Sequence, residues 1–364
     1  MAGSYNQTYS FWDLFRGRGG RQSPEDQLGF IFVEQSGQTN SGENVNVDNL
    51  LDDATVVTCI NAIVQGITQI PIYVRREIGD GGSERVLDHP VARLMKRPNS
   101  FQTPTEFKSS IITAMLTHGN AFIRIVRQGS DIDDTSRPPA QLYPLDPSNI
   151  TIGSNSFGLP TYQHNEYGSI DTDNIIHIRD LNTFTPQGLS RAILAAEIIG
   201  AKKAADRLMA ETFRNGISLN YIVRSDAPLD AAKLEAAQAQ MAEAFGAGGN
   251  RRGGVAFIEN GEVTQIKGAT PADVDLREIR QQLIQEIAAV FRVPAFMVGG
   301  SGDQRYNNVR QYWTAFHRDT LQPIITNIEE AITLRLLNEG EYLHFDVNEI
   351  LKGCLLYTSP SPRD

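Results

Sequence analysis

The groups in this 364-residue chain that could bind a metal or move a proton are six histidines, two cysteines and 43 acidic residues. Chemistry of that kind needs convergence, and their spacing offers little. His89, His118, His164, His177, His317 and His344 stand far apart, with none of the short intervals that place two imidazoles on one metal. Cys59 has no nearby cysteine or histidine and falls on an apolar helical stripe, so it is expected as a small buried residue. The acidic insert Ser130-Asp131-Ile132-Asp133-Asp134 could attract a cation, but it lacks the glycine and terminal glutamate of an EF-hand loop and reads as a solvated hairpin tip. The run from Gly246 to Gly254 has no Gly-Lys-Ser/Thr ending, and a strand pattern follows it where a phosphate-binding loop would open a helix. No serine sits in a Gly-x-Ser-x-Gly context. The expectation is no catalytic residue, no metal site and no cofactor. The alternative is a metal-dependent nuclease whose carboxylates converge only in the fold.

Length and composition set further bounds. A chain of this size buries a sizeable core and usually holds roughly two or three compact units. No apolar run approaches the roughly 20 residues of a membrane helix, so no membrane partner is expected. Met1 to Ser10 lacks the sections of a signal peptide, and two cysteines make no disulfide framework, which fits a reducing cytoplasm. The net charge of -10 argues against a tight grip on DNA through phosphate neutralisation, while leaving room for DNA that slides past. Residues 354–364 break the preceding pattern and read as an in-frame sequencing-adapter artefact, so the natural chain is expected to continue beyond Gly353, with Tyr342 to Val347 as strand-like sequence that leads nowhere.

The elements are organised around Thr270 to Leu337. Thr270-Pro271-Ala272-Asp273 marks a helix start, and Leu276, Ile279, Leu283, Ile287 and Val290 form one stripe expected to be buried. Pro294 ends that helix, and the glycines from Gly299 to Gly302 predict an irregular flexible loop. A helical period resumes from Asn307 to Leu336, with Pro323 expected to bend it. Upstream, residues 1–44 read as a flexible arm with one apolar patch, Phe11 to Phe15. Helices are expected from Val56 to Ile67 and from the capping box at Thr103 to Gly119. Short strands follow at Phe122–Val126, Gln141–Leu145, Ile150–Ile152, Tyr162–His164 and Ile175–Ile178, making an α+β domain with a mostly antiparallel sheet. Gly188 to Asn215 reads as one long helix whose Leu194, Ile198, Ala201, Ala205, Leu208 and Thr212 suit close helix contact, and a small module of strand, helix and hairpin fills 217–269.

Several segments, in this order and spacing, resemble the HK97-type portal proteins of tailed bacteriophages. They are His89-Pro90 with Arg97-Pro98-Asn99, His118-Gly119-Asn120, Ile175-Ile176-His177-Ile178, Gly188-Leu189-Ser190, Phe213-Arg214-Asn215-Gly216, Ile287 to Pro294, Tyr306-Asn307-Asn308 and Leu321-Gln322-Pro323. The resemblance spans Val45 to Leu351. It implies a wing domain at 45–187, stem helices at 188–216 and 270–293, a clip at 217–269, a tunnel loop at 294–307, and a kinked long helix opening a truncated C-terminal region at 308–353. It further implies a dodecameric ring at one capsid vertex, assembled in the host cytoplasm and carried in the virion, that passes double-stranded DNA. The implied partners are other copies of itself, the terminase large subunit, the major capsid or scaffolding protein and a head-tail adaptor. Gly299, Gly300, Ser301, Asp303, Gln304 and Arg305 are the implied channel residues, and Lys202, Lys203, Arg207, Arg251 and Arg252 the candidates facing DNA or terminase. A monomeric adaptor domain is a third reading.

Overall fold

The computed structural model describes residues 36–79, 81–181, 185–215, 220–225, 261–266, 276–300 and 306–347. Strands β1 (Ser36–Gln38) and β2 (Asn44–Asn46) form a short hairpin that leads into α1 (Val47–Leu50). In α2 (Ala54–Thr68) the side chain of Asp53 accepts from the backbone N-H groups of Thr55 and Val56, satisfying two donors that a helix start leaves open. Its expected stripe is buried, Cys59 included. Burial, with Asp53 adding to it, pushes the Cys59 thiol up to about 12, so it is no nucleophile.

The antiparallel expectation holds, but the strands divide among three small sheets. β3 (Ile72–Ile78) pairs with β4 (Gly82–Val86). After α3 (Pro90–Lys96) and α4 (Pro104–His118), β5 (Asn120–Arg127) lies between β6 (Pro139–Leu145) and β10 (Ile175–Arg179). β7 (Ile150–Ser154), β8 (Pro160–His164) and β9 (Gly168–Ile170) form the third sheet. At α4 both bonds of the capping box are made, and Gly119 closes the helix in the left-handed conformation (φ 74°). The acidic insert lies in the β5–β6 connection, where Asp133 meets Arg124 and Asp134 meets Arg137.

The helix expected across 188–215 is two pieces, α5 (Arg191–Leu194) and α6 (Ala196–Asn215), joined at Ala195. Its buried face is Ala192, Ala195, Ile199 and Lys202, whereas Leu194 and Leu208 of the anticipated contact stripe are about half exposed. β11 (Asn220–Ser225) pairs with β12 (Gly261–Ile266). The rest of that module, including Arg251 and Arg252, lies outside the described residues, as do the helix start at Thr270 and residues 1–35 of the expected arm, while the last part of that arm, from Ser36 on, is not a flexible tail but the β1–β2 hairpin.

Helix α7 (Leu276–Phe291) buries Ile287, Ala288 and Phe291, but Ile279 is 42% exposed, so the stripe is covered only toward its C-terminal end. Between α8 (Tyr306–Phe316) and α9 (Gln322–Leu336) runs a π turn, His317–Leu321. Proline has no N-H, and its ring strikes the carbonyl four residues back, so Pro323 inside a continuous α-helix is costly. The wider turn immediately before it is where this helix accommodates the proline. Leu321, Ile324, Ile325, Ile328 and Ile332 then pack into the core. Strand β13 (Glu341–Phe345) corrects the expectation that this stretch leads nowhere: it pairs with β3, and Arg76 donates to Glu341 at 2.8 Å across the pair. Leu343 and Phe345 join a core cluster that reaches back to Val45.

Candidate functional site

Several segments that sequence alone offered only as a pattern meet at one junction. The backbone of Gly119 runs so close to that of Gly188–Ser190 that a Cβ on Gly119 would sit 2.5 Å from Leu189 C and Ser190 N. Both the left-handed φ and this approach require glycine. The next residue, Asn120, is 3% exposed and bonds both ways to the same segment: Oδ1 accepts from Gly188 N at 2.8 Å, and Nδ2 donates to Gly188 O at 3.2 Å and to His118 O at 3.0 Å. Ser190 caps α5 by accepting from Ile193 N and donates its hydroxyl hydrogen to Thr117 O at 2.6 Å. These bonds fix where the helical arm leaves the sheet domain.

His177 completes the junction. Its Nε2 is 2.9 Å from Asn120 Oδ1, which as a carbonyl oxygen can only accept, so Nε2 carries the hydrogen and Nδ1 accepts from the Tyr162 hydroxyl at 3.2 Å. The ring stacks on Phe122 with centroids 4.5 Å apart. Burial, with Arg179 adding, pushes the imidazole down to about 3, so it is a neutral structural group near neutral pH. Beside it Arg191 donates to both Asp180 oxygens at 2.7 Å, and Asn327 of α9 donates to Arg179 O. Burial pushes the Asp180 carboxyl up, and Arg191 opposes it. Two cavities of about 680 and 460 Å³ lie between this corner and α9, sharing His177, Arg179, Ala331 and Leu334. Among the described residues no three His, Cys, Asp or Glu side chains gather as a metal site, and no helix is long and apolar enough to cross a membrane.

The residues expected to face DNA or terminase are distributed differently. Lys202 is 4% exposed and bonds Asp53 at 2.8 Å and Asp206 at 2.9 Å. Burial alone would push its ammonium down, but those two carboxylates outweigh it and hold it above the usual lysine value. Its charge therefore joins α6 to the start of α2 and is directed inward. Lys203 donates to Asn49 O at 3.0 Å, and Arg207, with a side chain 64% exposed, pairs with Glu43 at 2.7 Å. Gly299 caps a tight 3-10 turn, Ala295–Val298, and Gly300 follows it outside regular structure. Gly299 adopts φ 83°, and a Cβ on Gly300 would sit 2.9 Å from Ala295 O. Ser301, Asp303, Gln304 and Arg305 lie outside the described residues. The Phe296 and Tyr312 rings, 5.7 Å apart, join the two sides of the loop.

Sequence reasoning missed how these segments interlock. A glycine followed by a polar residue at a strand start, as in Gly119-Asn120, was the available signal for a close backbone approach. A family description, phage portal protein, matches residues 54–355. The chain belongs to the phage portal protein family. The portal protein of Enterobacteria phage HK97 is 25% identical over 330 residues, covering 87% of this chain and 75% of the phage protein. An HK97 family phage portal protein from Corynebacterium diphtheriae shares the fold with a TM-score of 0.61 at 16% identity, over 90% of this chain and 99% of that one. A chain from the neck of an empty gene transfer agent particle, computed with C6 symmetry, matches with a TM-score of 0.63 at 20% identity, over 89% and 90%. Portal membership places this chain among structural channel proteins, which are not enzymes.

Proposed function

We propose that this chain is the ring-forming subunit of a portal, the channel at a capsid vertex through which double-stranded DNA is packaged and ejected. Family membership across residues 54–355 carries the proposal. The gene transfer agent necks that share its fold were computed with C6 and C12 symmetry, which supports a closed ring and a place at a particle neck. The subunit's own surface supports it too: Leu194 at the end of α5, Leu208 on α6 and Ile279 on α7 stand about half exposed, and head-to-tail contacts between unlike faces close into rings when the rotation allows.

On this reading residues 45–187 form the wing, 188–216 and 270–293 the stem, 217–269 the clip, 294–307 the tunnel loop and 308–353 the long helix beyond it. Gly299 and Gly300 shape the loop's base, and Ser301, Asp303, Gln304 and Arg305 present polar groups to passing phosphates. Arg251, Arg252, Lys203 and Arg207 remain candidates for DNA or terminase, while Lys202 holds the stem to the wing. The ring assembles in the host cytoplasm, meets capsid or scaffolding protein at its rim, docks the terminase large subunit during packaging and binds a head-tail adaptor afterwards. Negative-stain images of the purified chain test this: annular particles with an axial hole are expected, and compact monomers refute it. Metal-dependent DNA cleavage abolished by one carboxylate substitution would restore the nuclease alternative.

A further inference from the structure

Helix α7 ends in an arrangement that normally belongs to glycine. Arg292 N donates to Ala289 O at 3.0 Å and Val293 N to Ala288 O at 2.9 Å, the paired bonds of a Schellman motif, with Arg292 at the left-handed position. Its φ of 56° is the one positive value at a non-glycine residue among the described residues. A residue with a Cβ is disfavoured there by about 1 kcal/mol. The conformation is held from outside as well, because Thr320 in the π turn donates its hydroxyl hydrogen to Arg292 O at 2.6 Å. Every one of these bonds uses the backbone, and glycine would make them all without strain. The backbone therefore gives no reason for arginine, and the reason must lie in the side chain.

That side chain is exposed, and among the described residues no carboxylate lies within ion-pair distance of it. Asp180 and Asp319 are near enough to feel its charge, yet each already has an arginine of its own. Arg191 takes both oxygens of Asp180, and Arg318 takes both oxygens of Asp319 at 2.7 and 2.9 Å. Among the described residues Arg292 is thus a surplus cation, immediately before Val293-Pro294 at the foot of the loop and near the Arg318–Asp319 pair. An exposed guanidinium held on a fixed backbone presents donors suited to phosphate oxygens.

We infer that Arg292 is a contact for the DNA phosphate backbone at the base of the tunnel loop. The inference rests on the ring reading above. One such cation per subunit, repeated around the ring, gives many weak and salt-sensitive contacts in place of one tight grip, which suits a duplex that must move.

The test compares rings of the full chain carrying Arg292→Gly or Arg292→Lys with unmodified rings, by thermal melting and by binding of a linear double-stranded DNA fragment across a salt series. Arg292→Gly should raise the melting temperature by about 1–3 °C, since it removes the strain, while DNA affinity at low salt falls by at least threefold and the salt dependence becomes shallower. Arg292→Lys should melt as the unmodified ring does and keep its salt dependence. A lower melting temperature for Arg292→Gly would make Arg292 a structural partner of Asp180 and Asp319 and overturn the inference. Unchanged DNA affinity and salt slope would overturn it as well, and so would loss of rings in Arg292→Gly alone, which would assign the residue to a subunit contact. Absence of rings from the unmodified chain would instead refute the ring reading, and the inference with it.

Discussion

Acidification should loosen the junction at His177 in a measurable way. The folded imidazole is pushed down to about 3 from an ordinary 6.5, so the native state excludes a proton that the unfolded chain binds. Because the folded value is depressed, the stabilisation is complete above pH 6.5 and declines as pH falls toward 3. Each pH unit within that window removes about 1.4 kcal/mol, so moving from pH 7 to pH 5 should cost about 2 kcal/mol from this group. The loss is local in origin: a protonated Nδ1 can no longer accept from the Tyr162 hydroxyl, and the new charge sits stacked on Phe122 near Arg179. Urea unfolding of the chain and of His177→Gln at both pH values isolates the imidazole's contribution. Glutamine can still donate to Asn120 and accept from Tyr162, yet it does not titrate. His317, pushed down by burial, titrates in the same direction in both proteins, so the difference between them is the quantity to read. The variant should be less stable at pH 7 but lose about 2 kcal/mol less on acidification. An identical drop in both proteins would refute the reasoning.

Three further outcomes can be checked. Lys202→Ala leaves Asp53 buried without its counterion and should cost about 3 kcal/mol or more in a urea titration, whereas removing a solvated surface charge would cost almost nothing. Gly119→Ala should lower the melting temperature severely, because the left-handed backbone and the 2.5 Å approach of Leu189 and Ser190 leave no room for a methyl. Gly299→Pro with Gly300→Pro, or Arg305→Glu, should leave rings visible in electron micrographs while packaging into procapsids falls; normal packaging would reduce the loop to a connector.

Elements set by local rules are legible in the sequence. Thr103 with Glu106 closes its box, Gly119 ends its helix, and the period of α2 places Cys59 inside, because each depends on residues within one or two turns. What stayed hidden depends on distant partners. The resemblance implies that Lys202 faces DNA or terminase, whereas the buried counterion that turns it inward, Asp53, lies 149 residues away and leaves no local signal. Periodicity predicts Ile279 to be buried, but periodicity reports which residues share a face and not whether this subunit covers it. Pro323 signalled a disturbance in the helix without revealing that a π turn would absorb it. In the same way Asn120, His177 and Gly188 were visible as a pattern, while their mutual bonds were not.

The pairing of β3 with β13 has a consequence for biosynthesis. Arg76 and Glu341, which meet across that pair, are separated by 265 residues. At ribosomal rates of about 5–20 residues per second, roughly 15–50 s pass between the synthesis of the two strands. Throughout that interval one edge of β3 is an open template carrying Ile72, Tyr73 and Val74, the kind of sequence that recruits strands from other chains. Arg75, Arg76 and Glu77 follow immediately, and charges in that place discourage such recruitment. The nascent chain thus carries its own protection against aggregation, and one of those same charges, Arg76, later bonds Glu341 when the closing strand arrives.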